Sequence, residues 1–112
     1  MKIDRIRLFK TSYDNFQSSY YCLSIVLVDD LALKRFEIVK KLNENGVGTS
    51  IYYPQPVPLM TYYRRKYGYN ENSFPNASLI SNSSISLPVG PHLRSEDMDY
   101  IVNTFKKVIS EV

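Results

Sequence analysis

The 112-residue chain has one histidine, one cysteine, no tryptophan and only four glycines. Each scarcity removes a class of chemistry. With His92 the only imidazole and Cys22 the only thiol, neither a disulfide framework nor a zinc cluster can be assembled. A Ser, Cys or Thr nucleophile would have only His92 as an imidazole base, and a lone loop histidine is ordinarily a surface residue. Four scattered glycines make no phosphate-cradling loop, and Gly46-Val-Gly48 reads as a helix stop. The longest apolar run, Tyr20 to Val28, is about half the length that spans a bilayer, and charges interrupt Met1 to Arg5 before any leader-like core. A cytoplasmic protein with no membrane partner is expected. Cys22, inside that run, reads as a small buried hydrophobe.

What is present is tyrosine. Ten tyrosines and 44% hydrophobic residues describe a globular chain with half-wet surfaces, because tyrosine buries its ring and keeps its hydroxyl hydrated. A net charge of +3, concentrated in Arg64-Arg65-Lys66, is too small to imply a nucleic-acid partner. Every lysine falls on a polar stripe or at a terminus. The carboxylates Asp29, Asp30, Glu96, Asp97 and Asp99 are each accounted for by helix caps and helix dipoles. No catalytic residue, cofactor-binding residue or metal ligand is therefore assigned.

The pattern predicts one α+β domain over 1–112, a small sheet of about three strands covered by helices. Residues 1–16 form an entering arm or helix. Tyr20–Val28 reads as a central strand buried on both faces. A helix follows from about Leu31 to Asn45, with Arg35 on its water side, and Gly46 ends it. A second strand covers about Val47 to Tyr53, stopped by the prolines at 54, 56 and 58, which cannot donate to a ladder. Short helices are expected over Leu59–Tyr67, ending at Gly68, and from Pro75 to Ile80. Ser84–Leu87 is the third strand. Ser95 caps a last helix, in which Met98, Ile101, Val102, Phe105, Val108 and Ile109 recur at helical spacing. Two strand ends, at Tyr52-Tyr53-Pro54 and at Leu87-Pro88, are thus set to border a cleft.

The order of these motifs carries a resemblance. Ser18 to Ile25, a helix, Leu42-Asn-Glu-Asn-Gly-Val-Gly-Thr49, Tyr52-Tyr-Pro-Gln-Pro56, Phe74-Pro-Asn-Ala77 and Ser84-Ile-Ser-Leu-Pro88 precede a capped final helix. Together, residues 17–112 resemble the C-terminal small domain of the DegT/StrS family of pyridoxal-phosphate-dependent nucleotide-sugar aminotransferases. The resemblance implies the small domain of a fold type I transferase. It implies pyridoxal phosphate for the parent enzyme, carried by a lysine of a large catalytic domain outside this sequence, so that this chain is silent alone. It also implies a homodimeric parent and a nucleotide-linked keto-sugar substrate, in polysaccharide or other sugar biosynthesis. Many members have His-Tyr-Pro where this chain has Tyr52-Tyr53-Pro54, and a later histidine where it has Pro58. Tyr52, Tyr53 and His92 are the expected substrate-binding residues. A second expectation, from the tyrosine content, is a stand-alone non-catalytic module that binds through its Tyr-rich edge.

Overall fold

The computed structural model describes residues 3–112. Its centre is a three-stranded antiparallel sheet in the order β1 (Ile6–Leu8), β4 (Leu23–Leu27), β5 (Ser84–Leu87). A separate two-stranded hairpin, β2 (Ser12–Tyr13) with β3 (Phe16–Gln17), projects between the first two. Among the described residues there are also five α-helices, α1 (Asp30–Leu33), α2 (Arg35–Glu44), α3 (Thr61–Tyr67), α4 (Pro75–Ser83) and α5 (Ser95–Glu111), and one 3-10 turn, Val57–Leu59. The α+β class and three-stranded sheet agree with the sequence. One strand's identity does not.

The register is Ile6↔Leu27 and Leu8↔Ile25 on one side of β4, and Leu23↔Leu87 and Ile25↔Ile85 on the other. Strand side chains alternate between faces, so these positions share one face. Ile25, Leu27 and Ile85 on that face pack with Ile38 and Leu42 of α2 and with Ile101, Phe105 and Val108 of α5. Ser24, Val26, Ser84 and Ser86 point to the other face. There α4 lies against β4 and α1. Small hydroxyl side chains allow that approach, and Ser24 Oγ and Ser86 Oγ hydrogen bond across the strands at 2.8 Å.

Several expectations are corrected by the tertiary pairing. Of the two forms expected for the entering segment, its described residues take the extended one rather than the helix: Ile6–Leu8 is the edge strand and residues 12–17 are a hairpin. The expected strand over 47–53 lies beside β5 but pairs with it only at Ser50↔Ser86. Its run toward Pro54, Pro56 and Pro58 leaves no continuous ladder. The central strand is shorter than its apolar run. Leu23 opposes Leu87, the last residue of β5, so Tyr20 to Cys22 have no partner strand and are exposed. Cys22 is therefore a surface thiol rather than a buried hydrophobe.

The helix expected over 31–45 is divided at Lys34, the junction of α1 and α2. Its end matches the sequence, for Gly46 has φ +79°, a left-handed conformation available to glycine at little cost. Gly68, at φ +70°, closes α3 in the same way. Helix α4 continues three residues past Ile80. Arg94, rather than Ser95, occupies the position before α5, and Asp97 Oδ2 accepts its backbone N–H at 2.8 Å. Phe36 is exposed, whereas Arg35 is buried and faces the sheet, not water.

Candidate functional site

The two strand-end segments do meet. Ser50 N–H donates to Ser86 O at 3.0 Å, and Ser86 N–H donates to Ser50 O at 2.7 Å. That reciprocal pair holds Gly48–Tyr52 alongside the end of β5. The two segments and Tyr21-Cys22 enclose a cleft of about 340 Å³. Tyr52 forms part of its wall, opposite Pro88 and Val89. Tyr53 is adjacent but more exposed, its ring edge-on to Tyr52 with centroids 5.9 Å apart.

His92 is not among the residues that line this cleft. It is exposed and folds back over its own turn, where Leu93 N–H donates to Gly90 O at 3.2 Å. A Cβ at Gly90 would lie 2.5 Å from His92 Cε1, so the bare glycine is what admits the imidazole. Of the three expected residues, then, the fold places Tyr52 in the wall, Tyr53 beside it and His92 outside.

Tyr21, Cys22, Thr49, Ser50 and Ser86 also belong to the cleft and were not singled out from sequence. The alternation Ser84-Ile-Ser86 signals a polar strand face, but which cleft that face borders depends on pairing. The lining is hydroxyl-rich and carries no charged side chain. It can donate to and accept from a hydroxylated ligand, and its lining contains no imidazole, carboxylate or amine.

That lining does not fit pyridoxal phosphate. No lysine or arginine reaches the cleft, so neither a carbonyl-binding amine nor a phosphate-neutralising cation is supplied there. Lys34 instead donates to Val112 O, Lys40 pairs with Glu44, and Lys41 pairs with Glu111. Among the described residues there is also no cluster of His, Cys, Asp or Glu able to hold a metal ion. No helix among them is long and apolar enough to cross a membrane.

A second concavity, of about 320 Å³, is apolar. Ile3, Ile6, Leu8, Leu23, Leu87 and Val102 surround it, where α5 borders the helix-covered face of the sheet. Leu8 there is 62% exposed. An aromatic chain lies elsewhere on the surface. Tyr62, Tyr63, Tyr67, Tyr69 and Phe74 follow one another with centroid spacings of 4.9 to 6.4 Å, and Lys66 stands over Tyr62 and Tyr67.

Comparison with known proteins matches this arrangement to a family. The sequence model of the DegT/DnrJ/EryC1/StrS aminotransferase family covers residues 3–106. The chain is 33% identical over 87 residues to the uncharacterized protein MJ1066 of Methanocaldococcus jannaschii, covering 78% of this chain and 22% of that protein. It is 30% identical over 90 residues to the spore coat polysaccharide biosynthesis protein SpsC of Bacillus subtilis, covering 78% of this chain and 23% of that protein. Among solved structures, Spr1654 of Streptococcus pneumoniae, described as a sugar aminotransferase, superposes with a TM-score of 0.82 at 27% identity. The superposition covers 96% of this chain and 26% of Spr1654, which has also been solved in PLP and PMP forms. The chain thus spans about a quarter or less of these relatives' length, and it takes up the small α+β region of the fold type I aminotransferases. From the family match and the superposed fold, the chain belongs to the DegT/DnrJ/EryC1/StrS aminotransferase family.

Proposed function

We propose that this chain acts as the C-terminal small domain of a pyridoxal-phosphate-dependent aminotransferase whose substrate is a nucleotide-linked keto-sugar, within a homodimeric enzyme. The single observation that carries the reading is the pairing of an uncharged, hydroxyl-lined cleft with an exposed apolar groove on one member of this family. The groove is the docking face for a large domain, because burying its leucines removes apolar surface from water. The cleft is one wall of the substrate site. The hydroxyls of Tyr52, Ser50 and Tyr21 exchange hydrogen bonds with sugar or phosphate oxygens, while the large domain holds the cofactor and supplies the reactive amine. Tyr52 offers a phenol hydroxyl where many members have an imidazole, so the approach of the sugar nucleotide on that side depends on hydrogen bonding to that hydroxyl.

The test is reconstitution with the large-domain segment of a relative such as SpsC, loaded with pyridoxal phosphate. A stable complex whose cofactor absorbance changes on adding a nucleotide-linked keto-sugar and an amino donor is the expected result. A folded, bound complex with no spectral change under these conditions would remove the enzymatic reading. The exposed thiol of Cys22 gives an independent readout in the same cleft. Its alkylation rate in the complex should fall when the sugar nucleotide binds.

A stand-alone binding module is the second reading, favoured by the exposed aromatic chain from Tyr62 to Phe74. It requires that the chain bind a partner with the large domain absent, and that Tyr62→Ala and Tyr67→Ala weaken this binding.

A further inference from the structure

Three of the chain's 14 lysines and arginines fall together at Arg64-Arg65-Lys66, and the other eleven are matched in number by its 11 acidic residues. This one stretch therefore accounts for the whole net charge of +3. No carboxylate occurs between Glu44 and Glu71. The three cations lie on α3, in which every residue is exposed. The buried Leu59 of the preceding 3-10 turn anchors one end of the helix, and Tyr69 packed on Phe74, with ring centroids 4.9 Å apart, anchors the other. Among the described residues the ion pairs are Arg5–Asp30, Lys40–Glu44 and Lys41–Glu111, and none of them neutralises α3.

A rotation of about 100° per residue divides the helix by chemistry. Arg64 turns toward a cleft that it shares with Leu59 and Glu71. On another side Thr61, Tyr62, Arg65 and Lys66 border an open concavity of about 510 Å³. Lys66 Nζ stands 5.7 Å from the ring centroid of Tyr62 and 5.3 Å from that of Tyr67. Tyr63 extends the patch, edge-on to Tyr62 and parallel to Tyr67. This surface thus presents two cations and three amphipathic rings, with no acid among them. Single-stranded nucleic acid stacks its bases on open ring faces, but Lys66 already covers a face of Tyr62 and of Tyr67. A folded acidic partner would want an apolar centre inside a polar rim, whereas here cations and rings alternate along one short helix.

We propose that α3 is a peripheral membrane contact, lying on the headgroups of anionic phospholipids. Arg65 and Lys66 pair with lipid phosphates that enter the Thr61–Lys66 concavity, and the guanidinium fork donates two parallel hydrogen bonds to one phosphate. Tyr62, Tyr63 and Tyr67 sink their rings to headgroup level and keep their hydroxyls hydrated, the depth at which amphipathic aromatic side chains are favoured. A negative leaflet strengthens binding about fivefold for each cation near its surface, so two cations and their rings give a reversible contact. No bilayer-crossing helix is required, and the expectation of no membrane partner rests on apolar length alone. The inference is independent of the aminotransferase reading, since it uses neither the cofactor, the Tyr52 cleft nor the apolar groove.

The whole chain is sedimented with vesicles of equal parts phosphatidylglycerol and phosphatidylcholine, and with vesicles of phosphatidylcholine alone. Binding at least about tenfold tighter to the anionic vesicles, and lost in molar salt, is the expected result. Arg65→Gln and Lys66→Gln should each weaken it about fivefold, and Tyr62→Ala by a similar factor. Lys107→Gln, which removes an exposed charge from α5, should change it less than about twofold. Circular dichroism shows that each variant folds, with Tyr67→Ala replacing Tyr62→Ala should the latter lose its signal. Equal sedimentation with both vesicles would overturn the proposal. So would a loss from Lys107→Gln as large as that from Arg65→Gln, which would mean adsorption by net charge. Tyrosine variants that bind anionic vesicles as the parent does would overturn it too. Saturable binding of oligodeoxythymidine, weakened by the same substitutions while vesicles are left unbound, would assign the patch to nucleic acid instead.

Discussion

Arg35 sits at 7% exposure with no carboxylate beside it. Its Nη1 donates to Ser81 O at 2.5 Å and Ser84 O at 3.3 Å, tying α2 to the junction of α4 and β5. Its Nε and the nearby Ser84 Oγ have no partner. Burial disfavours the charged form and lowers the guanidinium's proton affinity. Because the folded value lies below the unfolded one, the associated penalty is present whenever the group is charged and is relieved only under strongly alkaline conditions. Arg35 therefore adds no pH dependence to stability near neutrality. Arg35→Ala leaves two buried carbonyls without a charged donor and opens a void, and should cost about 3 kcal/mol. Arg35→Lys restores a charge but not the fork, and should cost about 1 to 2 kcal/mol. Urea midpoints at neutral pH check both. The sequence placed Arg35 on the water side of its helix, since a charged residue among lysines ordinarily faces solvent. Its true orientation depends on acceptors 46 and 49 residues away.

Helix α5 is the element most readable in advance. Its three- and four-residue repeat puts Ile101, Phe105 and Val108 on one stripe, and all three are buried. Two surface links fasten the ends of the helix: Tyr100 Oη donates to Asn45 O at 2.6 Å, and Lys41 pairs with Glu111 at 3.4 Å. Phe105 lies at the meeting of α5 with the sheet and with the apolar groove. Phe105→Ala should cost about 3 to 4 kcal/mol, at the lower end for a buried phenylalanine, because the open groove allows some collapse. Thermal and urea unfolding followed by circular dichroism will measure it. Strand identity was less readable than helix periodicity. Both Ile6–Leu8 and Val47–Tyr53 hold enough β-branched or aromatic residues to serve as strands. Only the first lies antiparallel beside β4 for three consecutive pairs, while the second diverges into its prolines after one. The two segments lie at opposite edges of the sheet, and which of them extends into a ladder is settled by long-range register, which local composition does not encode.

At the scale of the whole molecule, the helices cover one face of the sheet unevenly. Leu8, which lines the apolar groove, is 62% exposed. Leu8→Glu places a charge in the groove without disturbing a packed position. It should leave the unfolding midpoint within about 0.5 kcal/mol of the parent. It should also lower the fluorescence of a bound hydrophobic dye, and weaken association with a family large domain at least tenfold. Binding unchanged by Leu8→Glu would move the docking face elsewhere. The candidate site was partly visible at this scale as well. The proline-stopped segments pointed to a cleft between strand ends, and Tyr52 lies in it, but His92 does not. A histidine four residues beyond the proline that follows the strand looked close in sequence. The tight turn at Gly90 carries it back on itself instead.

What the sequence determined alone is everything written in neighbouring residues: the left-handed helix stops at Gly46 and Gly68, the apolar stripe of α5, the proline ends of two extended runs, and a motif order specific enough to name the family. Tertiary structure decided which segment became the third strand, that Cys22 is exposed, that Arg35 is buried, and which side chains share each concavity. The division is physical. Caps and amphipathic periods are set by backbone sterics and side-chain spacing within a few residues, whereas pairing, burial and clefts arise from contacts between segments tens of residues apart, where the chain must choose among near-equivalent partners.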